Sequence, residues 1–306
     1  MNRSSAKGVD VFATAACCGM VLFWSSGPIF IKYLTGHLDF WTQNLLRYTV
    51  ACMFWLPILG FIIWRGKLPV VVWKRAIVPA CANVLMQSFF AATYYYLDPA
   101  FMNLLLKLSV IWIAGFSIVF FGAERPLVRS KRFWLGTLMS FAGVSGVLIF
   151  KEDFSRGATL TGIILALVTS VLWAVYTLSV KICMKRTDAR MSFSVISIYS
   201  VAGFIILAVA FGDVGQCLQM PAWPWACVVI SGITSIAFTH VLYYAAMKRI
   251  GATIPSLTML TTPFVVFGLS YLVFGETLNI KQLIFGIVLL SGAGLSIWAQ
   301  AHLKRN

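Results

Sequence analysis

The chain has 306 residues, of which 60% are apolar or aromatic (A, V, I, L, M, F, W, Y, C) and only 11% are charged. A soluble domain carries about 25% charged residues. A soluble enzyme, a disordered chain and a secreted disulfide scaffold are therefore excluded, and a mean hydropathy of +0.89 points to a polytopic membrane protein. The net charge of +15 comes from 24 Lys and Arg against 9 Asp and Glu. These basic residues sit in short clusters between apolar runs, with no zinc-ligand or other nucleic-acid motif, so no nucleic-acid partner is expected.

Ten stretches approach the roughly 20 apolar residues that a membrane-crossing helix needs. They are residues 11–33, 41–63, 74–96, 99–121, 132–150, 160–183, 192–211, 224–247, 252–274 and 280–301. The first is too long and too aromatic for a cleaved signal peptide. Pro28, after Gly27, predicts a kink within it rather than its end. The gaps between stretches are short, so one membrane domain is expected. Six cysteines (Cys17, Cys18, Cys52, Cys81, Cys183 and Cys227) lie in or at the ends of apolar runs without metal-ligand spacing and read as small core residues. If the N-terminus is cytoplasmic and the spans alternate, 17 of the Lys and Arg residues fall in inner segments. Only Lys151, Arg156 and Lys281 fall in outer ones. That bias places both termini in the cytoplasm and requires an even number of spans.

The two halves share landmarks. Trp24 precedes Lys32 in span one as Trp173 precedes Lys181 in span six. Span four ends Gly122-Ala123-Glu124 and span nine ends Gly275-Glu276, and pairing those glutamates sets Ala100 on Ala252 at the two helix starts. Five spans per half is an odd number, so the repeats, 1–153 and 154–306, are expected to be inverted. The fold class is therefore all-α integral membrane, with ten transmembrane helices in two inverted five-helix repeats.

The early tryptophan of span one, Arg47 early in span two, the Ala-led spans four and nine and their terminal Gly-x-Glu or Gly-Glu motifs resemble the EamA-type members of the drug/metabolite transporter superfamily. The likeness covers about residues 11–301. It implies a central cavity lined chiefly by spans one, three, four, six, eight and nine, with transport by alternating access. Ala123 between Gly122 and Glu124 and the charge of Lys107 within span four depart from the family pattern.

Polar side chains at membrane depth are costly, so they form a short list of candidates. Lys107 lies about 12 Å into span four at 1.5 Å per residue, on one face with Asn103. It either holds an anionic solute group or reaches broken-helix carbonyls or the surface. Arg47 reads as a brace between repeats; Lys32 and Lys181, near helix ends, read as snorkelling. His240, in span eight near Tyr243 and Tyr244, is a candidate ligand or proton carrier or else a satisfied core group. Asn83 and Gln87 share a face of span three and either orient a solute or bind helices together. Trp24, Trp173 and Tyr176 fall mid-span, where they stack on a solute, gate it or pack. Pro28 and Pro263 mark kinks, and Glu124 and Glu276 read as structural or gating groups.

The expected function is secondary transport, by export or exchange, of small anionic or zwitterionic metabolites such as amino acids or carboxylates. The alternative is a membrane-embedded enzyme acting on a lipid, for which no catalytic constellation is visible. No cofactor or metal is expected. The expected partners are a small-molecule solute and the lipid bilayer of the cell's inner membrane, with pairing into a homodimer left open.

Overall fold

The computed structural model describes residues 10–120, 122–150, 157–250, 255 and 258–303. Among them every regular element is helical. Among the described residues nine helices are long and apolar enough to cross a membrane, and the tenth segment contributes the shorter apolar helix Met259–Phe274. In chain order the spans are Val11–Leu34, Phe40–Trp64, Val70–Thr93, Pro99–Phe120, Lys131–Ile149, Gly157–Cys183, Ala189–Phe211, Ala222–Ala246, Met259–Phe274 and Ile280–Leu303. The proposed boundary between residues 153 and 154 lies outside the described residues.

Helix starts are set by short polar caps. Asp10 accepts from the Ala13 amide, and that bond, with Arg249 alongside, holds the Asp10 carboxyl below the usual carboxylate range. Asp39 caps span two through the Trp41 and Thr42 amides, and Asp188 starts span seven through the Arg190 amide. Asp39 and Asp188 stand at the same interval as Trp24 and Trp173, yet they lie on opposite faces of the bundle, as inversion requires. Span one runs unbroken through Pro28.

The packing obeys a twofold axis in the bilayer plane. Span one packs on spans eight and nine, as span six packs on spans three and four; span two packs on span eight as span seven packs on span three. The remaining main pairs, two with seven, four with nine and five with ten, map onto themselves. The protein is thus a multi-pass membrane bundle of two inverted five-helix repeats.

Spans five and ten form the tightest seam. A Cβ added at Gly136 would sit 2.6 Å from the Gly292 carbonyl oxygen, and one at Gly143 would sit 2.4 Å from the Leu289 nitrogen. Gly146 receives the Phe285 ring in the same way. Ser140 donates to the Gly136 carbonyl at 3.0 Å within this seam. Small residues let the backbones approach closely where the lipid offers no hydrophobic drive to association. Of the cysteines expected in the core, Cys17, Cys52 and Cys227 are buried; Cys18 and Cys81 are exposed on the apolar outer surface, which corrects that reading. Cys52 and Cys81 sit in neighbouring spans, and apolar periodicity is too weak in a lipid-facing helix to separate the two environments.

Gly143→Val is expected to cost about 1–3 kcal/mol by overpacking, read as a lower melting temperature of the purified protein. Gly60→Ala, where nothing lies within 4 Å of the added carbon, is expected to leave it unchanged or slightly raised.

Candidate functional site

The centre of the bundle is built from two interrupted helices. Span four is helical over Pro99–Leu106, turns at Lys107 and Leu108, and resumes at Ser109–Phe120. The turn is held by tight bonds, from the Lys107 amide to the Leu104 carbonyl at 3.0 Å and from Leu108 to Leu105 at 3.1 Å. Span nine has its own irregularity at the facing place, a 3-10 turn Met259–Thr261 that leads into Thr262–Phe274, with Pro263 in the first turn.

The interruptions meet. Lys107 Nζ donates to Thr262 Oγ1 at 2.6 Å, and Asn103 Oδ1 lies 3.3 Å from the same oxygen. The Thr262 hydroxyl also reaches the Met259 carbonyl at 2.8 Å. Its one proton serves a single acceptor at a time, and the shorter contact favours the carbonyl. Lys107, Asn103 and Thr262 are all buried. Among the described residues no carboxylate pairs with Lys107.

The other end of the same half-helix is held by the same partner. Gly275, at φ +67°, ends span nine in the left-handed region that a side chain rarely adopts. That turn sends Glu276 back into the bundle, where its carboxylate accepts from the Ala100 amide at 2.9 Å and the Phe101 amide at 3.1 Å. Ser270 donates to it as well. The eight residues Pro99–Leu106 therefore carry an acid at the N-terminus and a lysine at the C-cap, both matched to the helix dipole. The corresponding pairing in the other repeat, Glu124 with the helix start at Ala252, lies outside the described residues.

A second feature lies between spans one, six and eight. Trp24, Trp173, Tyr176, Tyr243, Tyr244 and His240 enclose a space on the scale of one water molecule. Trp24 meets Trp173 with ring centroids 5.4 Å apart and His240 at 5.6 Å. The Tyr176 and Tyr244 hydroxyls bond each other at 2.6 Å. Phe193 of span seven stacks on the His240 ring at 5.1 Å. Just before His240, span eight widens into a π-helix over Gly232–Phe238, which shifts the helical register. Trp55 donates to the Ala237 carbonyl within the π-helix at 3.0 Å.

The other polar candidates fall elsewhere. Asn83 bridges three spans, accepting from Tyr48 at 3.1 Å and donating to Ser200 at 3.0 Å. Gln87 is buried one turn further along, where its backbone carbonyl accepts from Asn44 at 3.0 Å. Arg47 donates to Ser231 at 2.9 Å, across the two repeats. Lys32 does not simply reach for the surface, as a snorkelling lysine would. It donates to the Tyr94 and Leu97 carbonyls at 3.1 and 3.3 Å and pairs with Asp98 at 3.5 Å. Those carbonyls are freed where span three ends, and a lysine at hand is the physical reason for the difference. Sequence reasoning missed the break at Lys107, the partnership with Thr262, the π-helix and Phe193. The Thr261-Thr262-Pro263 run was the available signal for the second of these.

Two inverted five-helix repeats meeting at a pair of interrupted helices are an architecture found in many membrane transporters. The profile of the EamA-like transporter family matches residues 12–149 and again 160–298, and the chain belongs to that family. A protein of Archaeoglobus fulgidus named as an uncharacterized transporter is 25% identical over 286 residues, covering 90% of this chain and 94% of its own. One of Methanothermobacter thermautotrophicus, named likewise, is 28% identical over 202 residues, covering 64% of this chain and 56% of its own. A solved crystal structure matches with a TM-score of 0.64 at 16% identity, over 93% of this chain and 96% of that one, which is a likeness of fold. Family and relatives point to a transporter rather than an enzyme.

Glu276→Ala is expected to cost about 1–2 kcal/mol, the scale of a lost helix cap, because the Ala100 and Phe101 amides lose their acceptor. Glu276→Gln, which keeps one acceptor oxygen, is expected to cost less. Thermal denaturation of the two variants beside the parent protein checks the order.

Proposed function

We propose that the protein is a secondary transporter of small organic solutes that carry an anionic group, a carboxylate above all, with Lys107 as the group that meets it. The observation that carries this reading is the burial of the Lys107 amine itself. A charge at this depth without a carboxylate partner is expensive, and Thr262 offers it a neutral oxygen. A solute carboxylate would supply the missing charge. Asn103 and Thr262 would complete its hydrogen bonding, while Trp24, Trp173 and Tyr176 would cover its apolar part. Asn83 and Gln87 lie apart from these groups, where Asn83 ties Tyr48 to Ser200, and they serve this reading as groups that bind helices together.

Alternating access is part of this proposal. The first half of span four contacts spans one, six and nine. Opening that side to solvent requires the half-helix to leave span nine, and so requires Glu276 to release two amides. Glu276 is thereby a gating group in this reading, with Glu124 as its counterpart. Arg47 ties span two to span eight and is placed as a brace that keeps the moving bundle together, and Pro28 and Pro263 are placed as the bends about which the bundle moves. Flow outward or in exchange, across the cell's inner membrane with both termini in the cytoplasm, completes the proposal.

Two measurements test it. In proteoliposomes, Lys107→Gln is expected to slow the flux of carboxylates about tenfold or more while changing neutral solutes of similar size little; equal losses for both would make the lysine a structural group. Reporters that fluoresce only in the cytoplasm, fused to either terminus, are expected to be bright in both fusions.

A further inference from the structure

The imidazole of His240 is fixed in one tautomer by its own helix. Nδ1 lies 2.9 Å from the Ile236 carbonyl oxygen. A carbonyl only accepts, so Nδ1 carries the proton and Nε2 of the neutral ring presents a lone pair. The side chain is 1% exposed, and Nε2 has no hydrogen-bond partner. Other buried polar atoms share that condition, but His240 is the one among them that lines the aromatic space. A buried acceptor left unpaired is destabilising, and the ring cannot turn to relieve it without giving up the Ile236 bond. Phe193, stacked flat on the imidazole, further restrains its plane.

The surroundings select what can approach that lone pair. The lining of the space is Trp24, Trp173, Tyr176, Thr177, Val180, His240, Tyr243 and Tyr244, with no acid and no base stronger than the imidazole. Indole and phenol faces attract positive charge, tryptophan most strongly. Two of the phenol hydroxyls are engaged with each other, Tyr176 with Tyr244. Of the polar atoms that line the space, His240 Nε2 is the buried one left without a partner.

We propose that His240 Nε2 accepts a hydrogen bond from a protonated primary or secondary amine of the transported solute, held among the faces of Trp24, Trp173, Tyr243 and Tyr244. The inference rests on the preceding reading of Lys107 as the carboxylate site and narrows it. The solute is zwitterionic, with its ammonium at the aromatic end and its carboxylate at the broken helices. The space must widen to admit the ammonium, and the Tyr176–Tyr244 hydroxyl pair is the contact that parts when it does.

The test separates the N–H bond from the charge. Proteoliposomes holding the full chain are loaded with an equimolar mixture of 4-aminobutyrate, leucine and phenylalanine, together with the N,N,N-trimethyl betaine and the amine-free carboxylate of each. Efflux is read by mass spectrometry. The trimethyl forms keep the cation but have no N–H to give. At least one amine is expected to leave about tenfold faster than its trimethyl and amine-free relatives, the scale of one buried acceptor satisfied. His240→Phe is expected to erase that preference, and His240→Gln, which restores an acceptor oxygen, to recover part of it. Equal efflux of amine and betaine in the parent protein, an amine preference that survives in His240→Phe, or no amine efflux at all overturns the proposal. Failure of the Lys107 reading shows differently: Lys107→Gln would then leave carboxylates and neutral solutes equally affected, whatever His240 does.

Discussion

Inside a bilayer a helix can break only where something else takes up the backbone groups it releases. At Lys107 the chain meets that constraint by its own tightened turn, the Lys107 and Leu108 amides donating to the Leu104 and Leu105 carbonyls, while one neighbour holds the half-helix Pro99–Leu106 at both ends. Glu276 accepts from its first amides, and Thr262 receives the lysine at its far end. Both come from span nine, at either end of one helix, so the two spans register against each other like a rod in two brackets. The crossing of spans four and nine follows from this clamp, as does the depth of Lys107 in the membrane. The surrounding spans then close on it in matched pairs, one with eight and six with three.

Much of this was legible in the amino-acid order. The basic clusters and apolar runs marked ten crossings, and Trp24 with Trp173 and Glu124 with Glu276 marked the repeat. The family profile matches across both halves. What escaped was the chemistry between spans. Nothing in the residues around Lys107 signals a turn, because Leu104, Leu105 and Leu106 are good helix formers, and the break arises from packing against span nine. Asn83 illustrates the converse. Its position on a helix face was plain, but its partners Tyr48 and Ser200 come from elements far away in the chain. The π-helix before His240 carries no proline to announce it, and the glycine that opens it, Gly232, packs against the Arg47 carbonyl.

The two structural roles open to a buried lysine are compatible. As the C-cap of a short helix it balances the dipole that Glu276 balances at the other end. As a charge bonded to a neutral hydroxyl it retains hydrogen-bonding capacity, since an ammonium has three donors. Spans five and ten stand apart from this chemistry. Their glycine seam leaves no room for even one added carbon at Gly136, Gly143 or Gly292, and it joins the last spans of the two halves back to back.

The inverted frame is symmetric, but its charge is not. In the register that pairs the two glutamates, the place of Lys107 is taken in span nine by Met259. A molecule assembled from two copies of the first half would force two ammonium groups into one dry crossing, and one assembled from two copies of the second half would have none there. The halves have become unlike at the point where they touch, and neither can now stand in for the other.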